Sequence, residues 1–149
     1  MADDINLGDE YFMRMALAEA EEAFSEDEIP VGAVVVSKGR VIANGHNLTE
    51  TLKDVTAHAE IIAITAAENA LGAKYLQDCD LYVTLEPCLM CAGAIAHAQV
   101  RRLVYGASDP KKGFSTMLGK FPSKAEITEG VLAEESSKLL KDFFKARRT

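Results

Sequence analysis

Apolar residues recur along the chain with two different periods. Between Asp9 and Phe24, the residues Met13, Leu17, Ala20 and Phe24 stand at i, i+4, i+7 and i+11, which predicts one face of an amphipathic helix with Glu19, Glu21 and Glu22 turned outward. "VGAVVV" and "RVIANG" are instead β-branched runs joined by "SKG". They predict a hairpin in which glycine takes the positive φ of a tight turn. "AEIIAITAAENAL" predicts a second helix closed by Gly72, "DLYVTL" a buried strand, "CAGAIAHAQ" a small-residue helix and "RRLVYGA" another strand. A loop follows, including "FSTMLGKFPSKA" from Phe114 to Ala125, then a short strand at Ile127 to Glu129. The last run, "AEESSKLLKDFFKARR", pairs Leu139 with Phe143 and Leu140 with Phe144 at i,i+4, as a helix does.

Strand–helix–strand units imply parallel pairing, here beside an antiparallel hairpin. The expected fold is a three-layer α/β/α arrangement around a mixed five-stranded sheet. No repeat, low-complexity tract or Pro/Ser/Gly-rich joint divides residues 1–149, so one domain is expected.

Composition changes the picture in two places. No apolar run approaches the roughly 18 residues that cross a bilayer, and "MADDINLGDEYF" is acidic where a secretion signal is basic and then apolar. A cytoplasmic protein without a membrane partner is expected, and there three cysteines read as thiols or metal ligands rather than as disulfides. The net charge of −7 is also uneven. Residues 1–100 carry 5 Lys/Arg against 17 Asp/Glu, a balance of −12, whereas residues 101–149 carry 11 against 6, a balance of +5. A polyanion would meet the C-terminal part, although solvated helix surfaces also produce such runs.

The candidate chemistry sits where loops become helices. Cys88 and Cys91, three apart behind Pro87, place both sulfurs on one side of a helix's first turn, where the helix N-terminus favours thiolates. Upstream, His58 and Glu60 in "TAHAEI" open the neighbouring helix, and their side chains lean beyond its end. One imidazole and two thiolates make the three protein ligands of a catalytic zinc site, with the fourth position left to water. A lone C-x-x-C also fits a redox pair or two buried small residues. Glu60 suits a proton carrier beside the metal, or simply an acid favoured by the helix dipole. Cys79 is expected to be a structural thiol. His97 lies too far along its helix, on the order of 13 Å from Cys88, to share the metal.

H-x-E followed downstream by P-C-x-x-C resembles the signature of zinc-dependent nucleobase deaminases. Taken with "IPVGAVVV", "GHN", "LYVTLEPCLMCAGAI", "VYGASDPKKG" and "EITEGVLAEE…LLKDFF", the chain resembles the bacterial tRNA-specific adenosine deaminase family of the cytidine deaminase-like fold, through nearly its whole length. The resemblance implies hydrolytic conversion of adenosine to inosine at the wobble position of a tRNA anticodon, by a homodimer with one Zn2+ per chain. It implies that His58, Cys88 and Cys91 hold zinc and that Glu60 shuttles protons. It places Asn47 on the target base, Asp109 beside the nucleotide's sugar, and Phe144, Arg147 and Arg148 near the anticodon stem-loop. Taken singly, Asn47 and Asp109 also suit turns and Phe144 a core. Two other functions compete. One is deamination of a free base or nucleoside such as guanine, adenosine or cytidine. The other is a non-catalytic zinc module, which would need His46 as a fourth ligand.

Overall fold

The computed structural model describes residues 8–147. Eleven elements follow one another there: α1 (Asp9–Ser25), β1 (Gly32–Ser37), β2 (Arg40–His46), α2 (Thr49–Leu52), α3 (Ala59–Leu71), β3 (Cys79–Leu85), α4 (Leu89–Ala98), β4 (Arg102–Ala107), α5 (Phe114–Leu118), β5 (Glu126–Thr128) and α6 (Ala133–Arg147). The strands form one sheet in the order β2-β1-β3-β4-β5, antiparallel across β2/β1 and β1/β3 and parallel across β3/β4 and β4/β5. The mixed five-stranded sheet is thus the one that the alternation of periods predicts.

The period of two along the strands divides the core. Ala33, Val35, Leu81, Val83, Leu103 and Tyr105 point to the face covered by α3 and α4, whose small residues Ala59, Ala63, Ala92 and Ala98 let both helices lie close to the sheet. Val34, Val36, Tyr82 and Val104 point to the opposite face and meet Phe12, Met13 and Ala16 of α1. On this side α6 joins α1 through Phe143, whose ring packs edge-on against Phe24 at 5.5 Å. Truncating a core leucine such as Leu81 or Leu103, both 0% exposed, should cost about 2–5 kcal/mol.

The hairpin turn has both central residues at positive φ, Lys38 at 52° and Gly39 at 76°, the geometry that matches strand twist in two-residue loops. Gly72 closes α3 at φ 62°. Two short helices are not legible in the sequence. α2 follows β2, and α5 occupies the start of the segment expected to be loop. Phe114 anchors the second: it is buried, edge-on to Tyr105 at 5.9 Å and to Phe121 at 5.0 Å. In α1 the buried face is Phe12, Met13, Ala16, Ala20 and Ala23, while Leu17 and Phe24 lie half-buried at its border.

The topology also decides where chemistry can sit. Because β2, β3 and β4 run the same way, their C-terminal ends open on one rim of the sheet. Asn47, Glu86 to Cys88, and Asp109 leave the sheet there, the region where α/β proteins bind ligands.

Candidate active site

His58 and Cys88 are the N-cap residues of α3 and α4, each with extended backbone and no capping hydrogen bond from its side chain. Both side chains are therefore free to turn toward each other. His58 Nδ1 lies 3.7 Å from Cys88 Sγ and 3.4 Å from Cys91 Sγ, and the three ligating atoms all lie within 4.8 Å of one another. Zinc–sulfur bonds of about 2.3 Å and zinc–nitrogen bonds of about 2.0 Å set tetrahedral N···S edges of about 3.5 Å, so the group fits a zinc ion. No fourth His, Cys, Asp or Glu joins this group among the described residues.

The electrostatics agree with the geometry. The Cys91 S–H draws the Cys88 thiol down to about 4, with His58 assisting against the cost of burial. Hydrogen bonding to Cys88, then burial, push the Cys91 thiol up. The pair thus shares one proton, and a cation between the sulfurs would favour the thiolate form of both. The His58 imidazole is raised, chiefly by its bond to Cys88.

Beside the triad lies a cavity of about 250 Å³ lined by Asn47, His58, Glu60, Glu86, Cys88, Asp109 and Lys112, with Ile29, Val31 and Leu85 as its apolar walls. Glu60, 4% exposed, is a carboxyl that burial pushes up to about 7, against its own backbone N–H and His58. A carboxyl poised there can both take and give a proton near neutrality. Asn47 is 6% exposed; its N–H donates to the Val31 carbonyl at 3.1 Å and its amide faces the cavity without a side-chain hydrogen bond among the described residues. Asp109 also reaches the cavity, but its Oδ1 already accepts the N–H groups of Lys111 at 3.1 Å and Lys112 at 3.0 Å, so it serves the turn as well.

The structure brings together six of the nine residues singled out in the sequence. Phe144 lies on the surface of α6, 43% exposed and 5.4 Å from the Phe143 ring. Arg147 is paired with Asp27 and stacked over Phe143 at 4.8 Å, away from the cavity, although Asp27 is two residues from the cavity wall at Ile29. Arg148 lies outside the described residues. Cys79 is buried in β3 and His97 is exposed on α4, both apart from the triad.

His46 is not a fourth ligand. Its Nδ1 is 2.8 Å from Glu19 Oε1 and its Nε2 2.9 Å from Glu26 Oε1, so both ring nitrogens are already used. Burial opposes protonation, but the two carboxylates hold the imidazole above its ordinary range. Glu19, expected to face solvent, is the half-buried partner in this clamp.

Two buried acids beside the site are not apparent from the sequence. Glu28, 0% exposed, accepts the Thr51 N–H at 2.6 Å, the Thr51 hydroxyl at 2.7 Å and the Glu50 N–H at 3.1 Å, which fixes α2 beside Asn47. Glu86 is the other. Glu86 is a lone acid inside the apolar stretch "VTLEPC", which is a local sign of burial, whereas Glu28 is the last of three successive acids in "EDEIPVGAV" and carries no such sign.

The model of the MafB19-like deaminase family matches residues 7–148. The tRNA-specific adenosine deaminase of Agrobacterium fabrum is 49% identical over 144 residues, covering 93% of this chain and 95% of that one. The chain belongs to the tRNA-specific adenosine deaminase family. The Bacillus subtilis member is 45% identical over 146 residues, covering 94% of this chain and 91% of the relative. A solved structure from work on A-to-I editing by tRNA:A34 deaminases superposes with a TM-score of 0.83 at 48% identity, covering 87% of this chain and 99% of the other. The guanine deaminase of Bacillus subtilis shares the fold at 34% identity with a TM-score of 0.67, covering 95% and 94%. This deaminase is therefore an enzyme with the cytidine deaminase-like fold, and its described residues hold one His-Cys-Cys group able to bind a metal ion.

Proposed function

We propose that the protein deaminates adenosine to inosine hydrolytically at the wobble position of a tRNA anticodon, with one zinc ion per chain held by His58, Cys88 and Cys91. The observation that carries this is the triad opening onto a cavity that also holds the buried Glu60, in a chain nearly half identical to tRNA-specific adenosine deaminases over almost its full length. Bound there, zinc supplies a Lewis acid that makes a water proton acidic near pH ~7. Glu60 takes one proton from the attacking water and delivers it to purine N1 as the oxygen bonds to C6, then moves the remaining hydroxyl proton to the departing amine as the C6–N bond breaks, so that water and adenosine become inosine and ammonia. The Asn47 amide offers a donor and an acceptor to the purine edge, and the free Asp109 oxygen can accept from the ribose 2′-OH. Ile29, Val31 and Leu85 give the base an apolar wall.

The substrate is the anticodon stem-loop. Phe144, Arg147 and Arg148 are assigned to its loop, and the ion pair of Arg147 with Asp27 ties that end of α6 to the segment leading to Ile29. Such a substrate implies action in the cytoplasm. No described helix is long and apolar enough to cross a membrane. A homodimer is supported by the exposed apolar side chains of Leu89 and Met90, which stand between Cys88 and Cys91 in the chain, together with Leu52, Val55 at 84%, Met117 and Leu118. Light scattering at micromolar concentration reads this directly, and a monomer removes the idea.

Free-base deamination is the competing assignment, favoured by the shared fold with guanine deaminase. Incubation of the zinc-loaded protein with a wobble-adenosine stem-loop and with guanine decides between them. Inosine in the stem-loop is expected; turnover of guanine with the stem-loop untouched reverses the assignment.

A further inference from the structure

Glu86 has no part in the proton transfers, although it lines the cavity and is only 4% exposed. A carboxylate at that depth needs its oxygens satisfied. Both are, and by one segment. Oε1 accepts the Asp109 N–H at 2.9 Å; Oε2 accepts the Ser115 N–H at 2.9 Å and the Ser115 hydroxyl. One side chain thus fastens both ends of residues 109–115. Within the segment, the Gly113 N–H donates to the Asp109 carbonyl at 2.9 Å, closing a single turn that presents Asp109 and Lys112 to the cavity. Glu86 itself is anchored from the other side. Its N–H donates to the Ala107 carbonyl at 2.8 Å, and the next residue, Pro87, accepts the Phe114 N–H at 2.9 Å. Gly113 packs so closely that an added Cβ would overlap both the Glu86 carboxyl and the Asp109 carbonyl. Cys88 follows two residues later and forms an isolated bridge with Gly113.

We propose that Glu86 is a positioning residue: its carboxylate holds the 109–115 segment, and with it Asp109 and Lys112, in fixed register with the Cys88 side of the site. This rests on the cavity being the nucleotide site. The three partners are all donors, so an acceptor at both oxygens is required. Glu86→Gln keeps the volume but turns one acceptor into an NH2 group, which must face either Asp109 N–H or the Ser115 pair and releases that end of the segment. Asp109 and Lys112 meet the nucleotide away from the reacting ring. Loosening them weakens substrate binding more than the chemical step.

The test compares zinc-loaded full-length wild type and E86Q on the wobble-adenosine stem-loop, with zinc content and NMR amide exchange measured on the same samples. Unchanged zinc content and faster exchange at the Asp109 and Ser115 amides are expected. KM for the stem-loop should rise about 10- to 100-fold while kcat stays within about threefold. Gly113→Ala displaces the same carboxyl from the opposite side and should give the same KM-weighted loss, which covers the case of an E86Q chain that does not fold. Unchanged KM in a folded, zinc-loaded variant, with only a lower Tm, reduces Glu86 to a structural acid and overturns the proposal. Failure of the nucleotide assignment looks different: wild type itself would leave the stem-loop untouched. In that event amide exchange decides, and wild-type exchange rates at Asp109 and Ser115 in E86Q also overturn the positioning role.

Discussion

Removing the His46 imidazole should destabilise the protein by an amount that depends on pH in a defined direction. In the fold His46 bridges Glu19 and Glu26, at 2.8 and 2.9 Å, and its side chain is 17% exposed against 21% and 41% for the two carboxylates. A hydrogen bond between charged groups contributes about 1.5–3 kcal/mol when shielded. The Glu19 bond is partly shielded and falls near the lower end of that range, whereas the Glu26 bond, open to water and salt, adds about 0.5 kcal/mol. His46→Gln retains at most one of these bonds without the charge, so a loss of about 1–2 kcal/mol is expected. That corresponds to roughly 2–8 °C in Tm for a chain of this size. The carboxylates raise the folded-state pKa of His46 above its unfolded value near 6.5. Its stabilisation is therefore complete below pH ~6.5 and is lost as pH rises through the folded pKa. Thermal or urea unfolding of both proteins at pH 6 and pH 9, with zinc saturating in each so that metal linkage cancels, measures the difference. It should be largest at pH 6 and should shrink at pH 9. A difference that is constant or grows with pH refutes the clamp.

Cys88→Ser leaves a two-ligand site and should lose both zinc, by elemental analysis, and activity; a full complement of zinc in that variant removes Cys88 from the ligand set. Glu60→Ala should keep fold and zinc while losing about 10²–10⁴-fold in turnover, the upper end being expected because more than one proton transfer fails. Retention of a tenth of the activity would reassign its role. Arg147→Ala with Arg148→Ala should weaken stem-loop affinity, leave zinc content intact and flatten the salt dependence by about 0.7 in log–log slope for each phosphate that is no longer neutralised. An unchanged slope would show that the tail does not meet the RNA backbone.

The fold and the metal group are legible in the sequence because their signals are local. Period-two and period-3.6 runs fix the strands and helices, and P-C-x-x-C places two sulfurs on one helix turn without help from the rest of the chain. His58 can be matched to them because it too begins a helix. What stays hidden depends on partners that meet only after the strand ends assemble. Glu86 finds Asp109 and Ser115, 23 and 29 residues away, and Glu28 finds Thr51 23 residues away. His46 is a candidate ligand in sequence because imidazoles are scarce here, yet its neighbours in the fold are acids contributed by α1 and the turn after it. Arg147 reads as a free cation until folding sets it against Asp27, 120 residues earlier. A short helix such as α5 has too few residues for a period and is held by the buried Phe114 ring and by the Glu86 carboxylate that accepts from Ser115.

The central claim, a zinc site that deaminates a wobble adenosine, is tested most directly by one measurement: inosine formed in a stem-loop carrying adenosine at the wobble position, by zinc-loaded wild type and by Glu60→Gln at equal zinc content. The account predicts inosine at that position alone with wild type and almost none with Glu60→Gln. No inosine from wild type at low or physiological salt, or equal amounts from both proteins, would contradict it.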